Sequence, residues 1–178
     1  IASLFNPIDV YSGEEIDPEV GASTLNDVVF YLKVLKAPIQ RNQDDADVIA
    51  GGELFDQIGC GACHLPTMTT SQSLITQLNY VEFHPYTDLL LHDMGLGLDD
   101  GYTEGYAETY EWRTPPLWGL GLTPDAQGGE YFLMHDGRAR SIDEAIMIHG
   151  GEGDHSKLNY TDLSDDDKSK LITFLESL

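Results

Sequence analysis

The stretch Gly59-Cys60-Gly61-Ala62-Cys63-His64 holds both cysteines of this 178-residue chain. A CxxC pair serves as a redox disulfide, as half of a zinc site, or as a point of haem attachment. Zinc needs two further ligands at a typical spacing, and the sequence has no second CxxC and no HxxxH. A thioredoxin-like motif wants a βαβ setting, and none is visible around it. The histidine directly after the second cysteine discriminates. Each thiol can add to a haem vinyl group, which brings the next imidazole under the iron as a fixed proximal ligand. Cys60, Cys63 and His64 therefore read as the attachment site of one covalent haem c.

The flanking segments suit such a site. Residues 47–58 read as a short helix with Val48, Leu54, Phe55 and Ile58 on its apolar side. Gly51 and Gly52 weaken that helix, so a close packing partner is expected across them. The expected partner is a C-terminal helix over 165–177. Ser164 is its N-cap, three aspartates fill its first turn, and Leu171, Phe174, Leu175 and Leu178 form a core stripe. Ser141-Ile142-Asp143-Glu144 is a capping box opening a helix through Ile148, stopped by Gly150-Gly151. Residues 25–35 form a further helix capped by Ser23 or Thr24, and Gln40–Asp45 is a polar linker. Residues 1–22 read as an extended arm. From Pro66 to Pro124 little is periodic beyond the apolar run Leu89-Leu90-Leu91. The expectation is a mostly α haem domain over 46–178, with long irregular loops wrapping the cofactor, preceded by an arm and helix over 1–45.

Thirty-one acidic residues face nine basic ones, a formal charge of −22. That balance argues against nucleic acid and anionic membrane surfaces, and it favours steering of basic partners. No apolar run approaches the ~18–20 residues of a membrane span. No signal peptide is recognisable, and a start at Ile1 is what a processed chain or a fragment would show.

Several stretches together carry a family resemblance: Cys60 to His64, Tyr86-Thr87-Asp88-Leu89-Leu90-Leu91-His92-Asp93-Met94-Gly95, Glu111-Trp112-Arg113-Thr114-Pro115-Pro116-Leu117-Trp118-Gly119-Leu120-Gly121, and His135-Asp136-Gly137-Arg138-Ala139-Arg140 with Glu144-Ala145-Ile146 and His149-Gly150-Gly151-Glu152. Over roughly residues 25–178 the chain resembles the C-terminal part of the di-haem oxidoreductase-like peroxidases, also labelled thiol oxidoreductases. Bacterial di-haem cytochrome c peroxidases and MauG are more distant likenesses. The resemblance implies a cytochrome c-like fold and an exported, periplasmic or extracellular, location. Such proteins resemble two cytochrome domains in tandem, with peroxide chemistry at the N-terminal haem. This chain has one CxxCH, and it corresponds to the C-terminal, electron-transfer haem.

The resemblance also bears on the second axial ligand. In the di-haem peroxidases that ligand lies 14 positions beyond the histidine of a Tyr-Phe-His-Ser-Gly-like stretch. His135 is the equivalent here, and the count reaches His149. His149 would otherwise simply cap a helix C-terminus. Met94, in a glycine-bounded loop, is the rival, since thioethers suit haem iron. Met134 and Met147 read as core fillers, and His84 and His155 as surface residues. His92 and His135 are placed to bond a propionate or line the distal side. Arg113 and Arg138 are candidate propionate clamps, with ion pairing to one of the many acids as their alternative. Trp112 and Trp118 are expected to pack at the haem edge. The acidic stretch 99–108 offers oxygen ligands for Ca²⁺ but lacks regular aspartate spacing, so a solvated loop is the plainer reading.

No residue is assigned a catalytic role. The expected function is electron transfer through one haem, with a redox partner protein, another cytochrome or haem domain among the options. The alternatives are the electron-entry half of a di-haem peroxidase or MauG-like enzyme, and a structural cytochrome subunit of a multi-haem assembly.

Overall fold

The computed structural model describes residues 20–178, so the arm expected over 1–22 lies almost wholly outside the described residues. The chain divides after Lys36 into two compact units. The described part of the first is one helix, α1 (Ala22–Val34). It begins before the expected Leu25, because Gly21 stands at the N-cap and Ser23 and Thr24 fall inside the first turn. None of its residues is buried.

The second unit, Ala37–Leu178, carries α2 (Ala46–Gln57), α3 (Thr123–Ala126), α4 (Ile142–Ile148), α5 (Asp154–Thr161) and α6 (Asp165–Ser177). Residues 37–45, which the sequence assigns to the arm, belong with this unit. Arg41 N donates to Ser177 O at 2.8 Å, and Gln40 Nε2 donates to Ser177 Oγ at 3.0 Å. Helices are the main element, and the long stretch between α2 and α4 is largely irregular. Two short antiparallel ladders interrupt it, β1 (Met68–Thr69) with β2 (Glu82–Phe83) and β3 (Leu91–Asp93) with β4 (Glu111–Arg113). They are too short to show a period of two in the sequence.

Capping follows the sequence closely. The Asp45 side chain accepts from Asp47 N at 2.8 Å and opens α2. Ser141 Oγ accepts from Glu144 N at 3.0 Å at the start of α4, and Ser164 Oγ from Asp167 N at 3.2 Å at the start of α6. The expected capping box is half formed, because Glu144 Oε2 reaches Arg140 N rather than Ser141 N. The helix α5 has no sequence signal, being polar with a single buried residue, Tyr160. The Tyr160 hydroxyl donates to Asp143 Oδ1 at 2.6 Å and ties α5 to α4.

The core joins α2 to α6 and gathers α4 and α5 beside them. Val48, Phe55, Ile58, Ile142, Tyr160, Leu171, Phe174, Leu175 and Leu178 are its buried members. Leu54 is the one residue of the expected α2 face that stays half-buried. The glycine pair in α2 has the packing reason its sequence demands. A Cβ on Gly51 would strike the Lys170 carbonyl and lie 2.7 Å from Phe174 Cβ, while one on Gly52 would meet only the Phe174 ring, at 3.3 Å. Gly51 therefore lets α2 and α6 cross at backbone contact. Phe55, Tyr86 and Phe174 close the crossing with edge and tilted ring contacts at 5.4–5.9 Å.

Candidate haem site

The α2 helix delivers the attachment motif directly. Its C-cap, Ile58, leads into Gly59 at φ 93°, a left-handed turn that glycine adopts without strain, and then into a 3₁₀ turn over Cys60–Ala62. Both cysteines are free and half-buried. Burial pushes the Cys60 thiol up to about 12, with the nearby Asp56 carboxylate also raising it, and burial raises Cys63 as well, with Asp88 and Glu152 adding to it. These are neutral thiols, unlike the lowered thiolates of a redox dithiol.

His64 sits against Phe55, with ring centroids 6.4 Å apart. Burial lowers it to about 4, against a hydrogen bond to Tyr86 that raises it. The ring is therefore neutral at ordinary pH. Its Nδ1 lies 3.1 Å from the Tyr86 carbonyl oxygen, which only accepts, so the proton sits on Nδ1 and Nε2 keeps its lone pair. His149 repeats the arrangement at the end of α4. Its Nδ1 lies 2.7 Å from the Ala145 carbonyl oxygen, and burial lowers its pKa too. Neither Nε2 has a hydrogen-bond partner among the described residues. Lys157 Nζ donates to the His149 carbonyl at 2.5 Å and pairs with Asp154.

Met94 and His149 both reach Gly153. A Cβ built on Gly153 would lie 3.2 Å from His149 Cδ2 and 3.5 Å from Met94 Cε. The two rival ligands thus both border Gly153, and only the histidine is oriented by a hydrogen bond from its ring. His92, from β3, stands beside Cys63, with Nδ1 3.8 Å from Sγ. Both its nitrogens face carboxylates at 2.8 Å, Nε2 toward Asp88 and Nδ1 toward Glu152.

The remaining expected residues form a second group or stand apart. His135 stacks on Trp112 with centroids 3.6 Å apart and planes 5° apart, and Trp112 Nε1 donates to Leu98 O at 2.8 Å. Arg138 is engaged by Asp136, its Nε lying 2.6 Å from Oδ2, and it also donates to Gly97 O at 2.9 Å. The 95–98 loop thus links this group to Met94. Arg113 is exposed on β4, and Trp118 packs against Phe83 at 5.9 Å. His84 is exposed and meets Thr67 and Glu82. In the acidic stretch, Asp99 and Asp100 cap their own turns through Gly101 N and Tyr102 N. Among the described residues, the group of His, Cys, Asp or Glu ligand atoms that converges is Cys63, Asp88 and His92, not this stretch. Asp88, Glu152 and Lys157 have no role legible from sequence: Asp88 and Glu152 meet on the ring of His92, and Lys157 reaches back from α5 to the His149 carbonyl, contacts made only by the folded backbone.

The donor set fits a haem: two adjacent neutral thiols, a proximal imidazole directed by a carbonyl, and a second imidazole directed the same way. A helical unit with this site defines a haem-based redox protein. The family model described as "Di-haem oxidoreductase, putative peroxidase" matches residues 4–178, and the chain belongs to that family. Among solved structures it resembles Kuenenia stuttgartiensis hydrazine synthase pressurised with 20 bar xenon, with a TM-score of 0.51 and 18% identity. The match covers 89% of this chain and 56% of that one, so this chain spans little more than half the other's length. No curated protein matches the chain.

Proposed function

We propose that this chain is a c-type cytochrome domain that carries one covalent haem and transfers electrons. The carrying observation is the pair of neutral imidazoles, His64 after Cys60-Gly61-Ala62-Cys63 and His149 after α4, each with Nδ1 fixed on a backbone carbonyl. Bound there, haem supplies a one-electron iron couple. Cys60 and Cys63 anchor it from the end of α2, a helix locked to α6 by backbone contact. The Tyr86 and Ala145 carbonyls hold the two rings in the tautomer that presents Nε2. Phe55 packs against the His64 ring, and the neutral rings favour ligation over protonation. The unit would work outside the cytoplasm, where haem is attached to CxxCH, and its acidic surface would steer a basic redox partner. No helix among the described residues is long and apolar enough to cross a membrane.

One observation favours a second reading, the electron-entry half of a di-haem oxidoreductase. The matched family is di-haem, and this sequence contains one CxxCH. Peroxide turnover separates the two. If His64 and His149 both hold the iron, the haem-loaded chain should turn over peroxide no faster than adventitious haem protein. Saturable peroxide turnover by this chain would refute the electron-transfer reading and establish the enzyme.

A further inference from the structure

His92 joins the segment that orients one candidate axial ligand to the segment that carries the other. On the first side it meets Asp88, whose side chain is 7% exposed. Asp88 lies two residues after Tyr86, the residue whose carbonyl holds His64 Nδ1. The backbone between them is unusual, with Tyr86 at φ 55° and Leu89 at φ 61°, left-handed positions that non-glycine residues seldom take. Such strain persists only where the surroundings over-determine it. Here Thr87, 1% exposed, donates from Oγ1 to the Thr114 carbonyl at 2.7 Å and accepts from Leu89 N at 2.9 Å.

On the second side His92 meets Glu152, three residues after His149. Glu152 also accepts from Asp93 N at 3.0 Å, so its carboxylate grips β3 at two points. Gly150 and Gly151 seat the same segment on the strand. A Cβ on Gly150 would lie 2.7 Å from Met94 O, and one on Gly151 2.8 Å from Gly95 N. A histidine with carboxylate oxygens at 2.8 Å from both nitrogens donates from both, so the ring bridges two anions as a cation.

We propose that the Asp88–His92–Glu152 bridge is a positioning element that holds His149 as the distal ligand and keeps Met94 out of that place. The inference rests on the haem reading above. The bridge fixes the 149–153 segment to β3, the strand that runs into Met94. With the bridge cut, the 149–153 segment keeps its close seat at Gly150 and Gly151 and the Lys157 hold on His149, but loses the side-chain tie through the His92 ring that sets the order of the two candidates.

The test uses haem-loaded full-length chain in the ferric state, with cyanide as the probe. His92→Leu should bind cyanide about 10–100-fold faster than wild type, the usual scale for lost outer-shell partners of a metal ligand. A thioether charge-transfer band from Met94 should appear or grow in the same variant. His92→Gln, whose amide satisfies one carboxylate, should fall between. Glu152→Ala cuts the bridge from an exposed position and should act like His92→Leu, which keeps the test open if that variant yields no holoprotein. Ser164→Ala, which removes the cap of α6, should lower stability and leave the cyanide rate unchanged. Cyanide rates and spectra in both bridge variants that match wild type would overturn the bridge alone. A wild-type chain that takes no haem would overturn the reading beneath it as well.

Discussion

Replacing Gly51 with alanine tests the crossing that positions the motif. Within a helix interior the change by itself favours folding by about 1 kcal/mol. The structure sets a larger opposing term. The new Cβ would strike the Lys170 carbonyl and stand 2.7 Å from Phe174 Cβ, whereas carbon atoms rest at about 3.5–4.0 Å. The obstacle is backbone, so α6 must retreat by roughly 1 Å, loosening Phe55, Leu171 and Phe174 together. Overpacking of this kind costs about 1–3 kcal/mol, and the backbone contact places it at or above the upper end. Gly52→Ala is the internal control, with the same propensity gain. Its Cβ would meet only the Phe174 ring at 3.3 Å, which can tilt aside. A difference of about 2 kcal/mol between the two variants corresponds to about 4–8 °C in Tm for a chain of this size. Thermal unfolding of haem-loaded protein, followed by circular dichroism at 222 nm, reads it directly. Gly51→Ala should melt below wild type, and Gly52→Ala close to it. Equal melting of the two variants would refute the close crossing of α2 and α6.

The axial assignment predicts that His149→Ala opens the iron to cyanide and carbon monoxide, while Met94→Leu leaves the ferric spectrum nearly unchanged; the reverse pattern would make Met94 the ligand. Stability should also depend on pH through His92. The Glu152 hydrogen bond, with Asp88 assisting, raises His92 above its ordinary value, so its contribution is full below about pH 6.5 and is lost as pH rises through the raised value. Glu152 is held below the ordinary carboxylate range, chiefly by His92, so its contribution is lost as pH falls through that lowered value. Denaturant unfolding of wild type and His92→Gln across that range should show the gap between them narrowing at both ends, and a constant gap would argue against the bridge.

What the sequence made legible was local. The caps at Ser141 and Ser164, the stripe from Leu171 to Leu178 and the glycines in α2 each follow from residue chemistry within one helix. The partner of Gly51 could be expected because a paired glycine in a helix needs a reason, and α6 offered a complementary stripe. The β3–β4 ladder was hidden because three residues cannot display a strand period, and Leu89, Leu90 and Leu91 are 46–60% exposed rather than core. The α5 helix was hidden because its surface is polar and it buries one residue, Tyr160, its other ties being polar bonds from Lys157 and Asn159 to backbone carbonyls that sequence spacing does not show. The bridge through His92 lay furthest out of reach. Its carboxylates come from positions 88 and 152, and only the folded backbone brings them to the two ends of one ring.

The proposed function depends on one haem covalently held by Cys60 and Cys63. Its most direct test is the mass and visible spectrum of the denatured chain, after expression in a host that exports the protein and attaches haem c. The polypeptide should keep one haem through acid extraction and have no titratable thiols, with holoprotein reduced or abolished in Cys60→Ala and Cys63→Ala. A haem-free chain with two titratable thiols would contradict it.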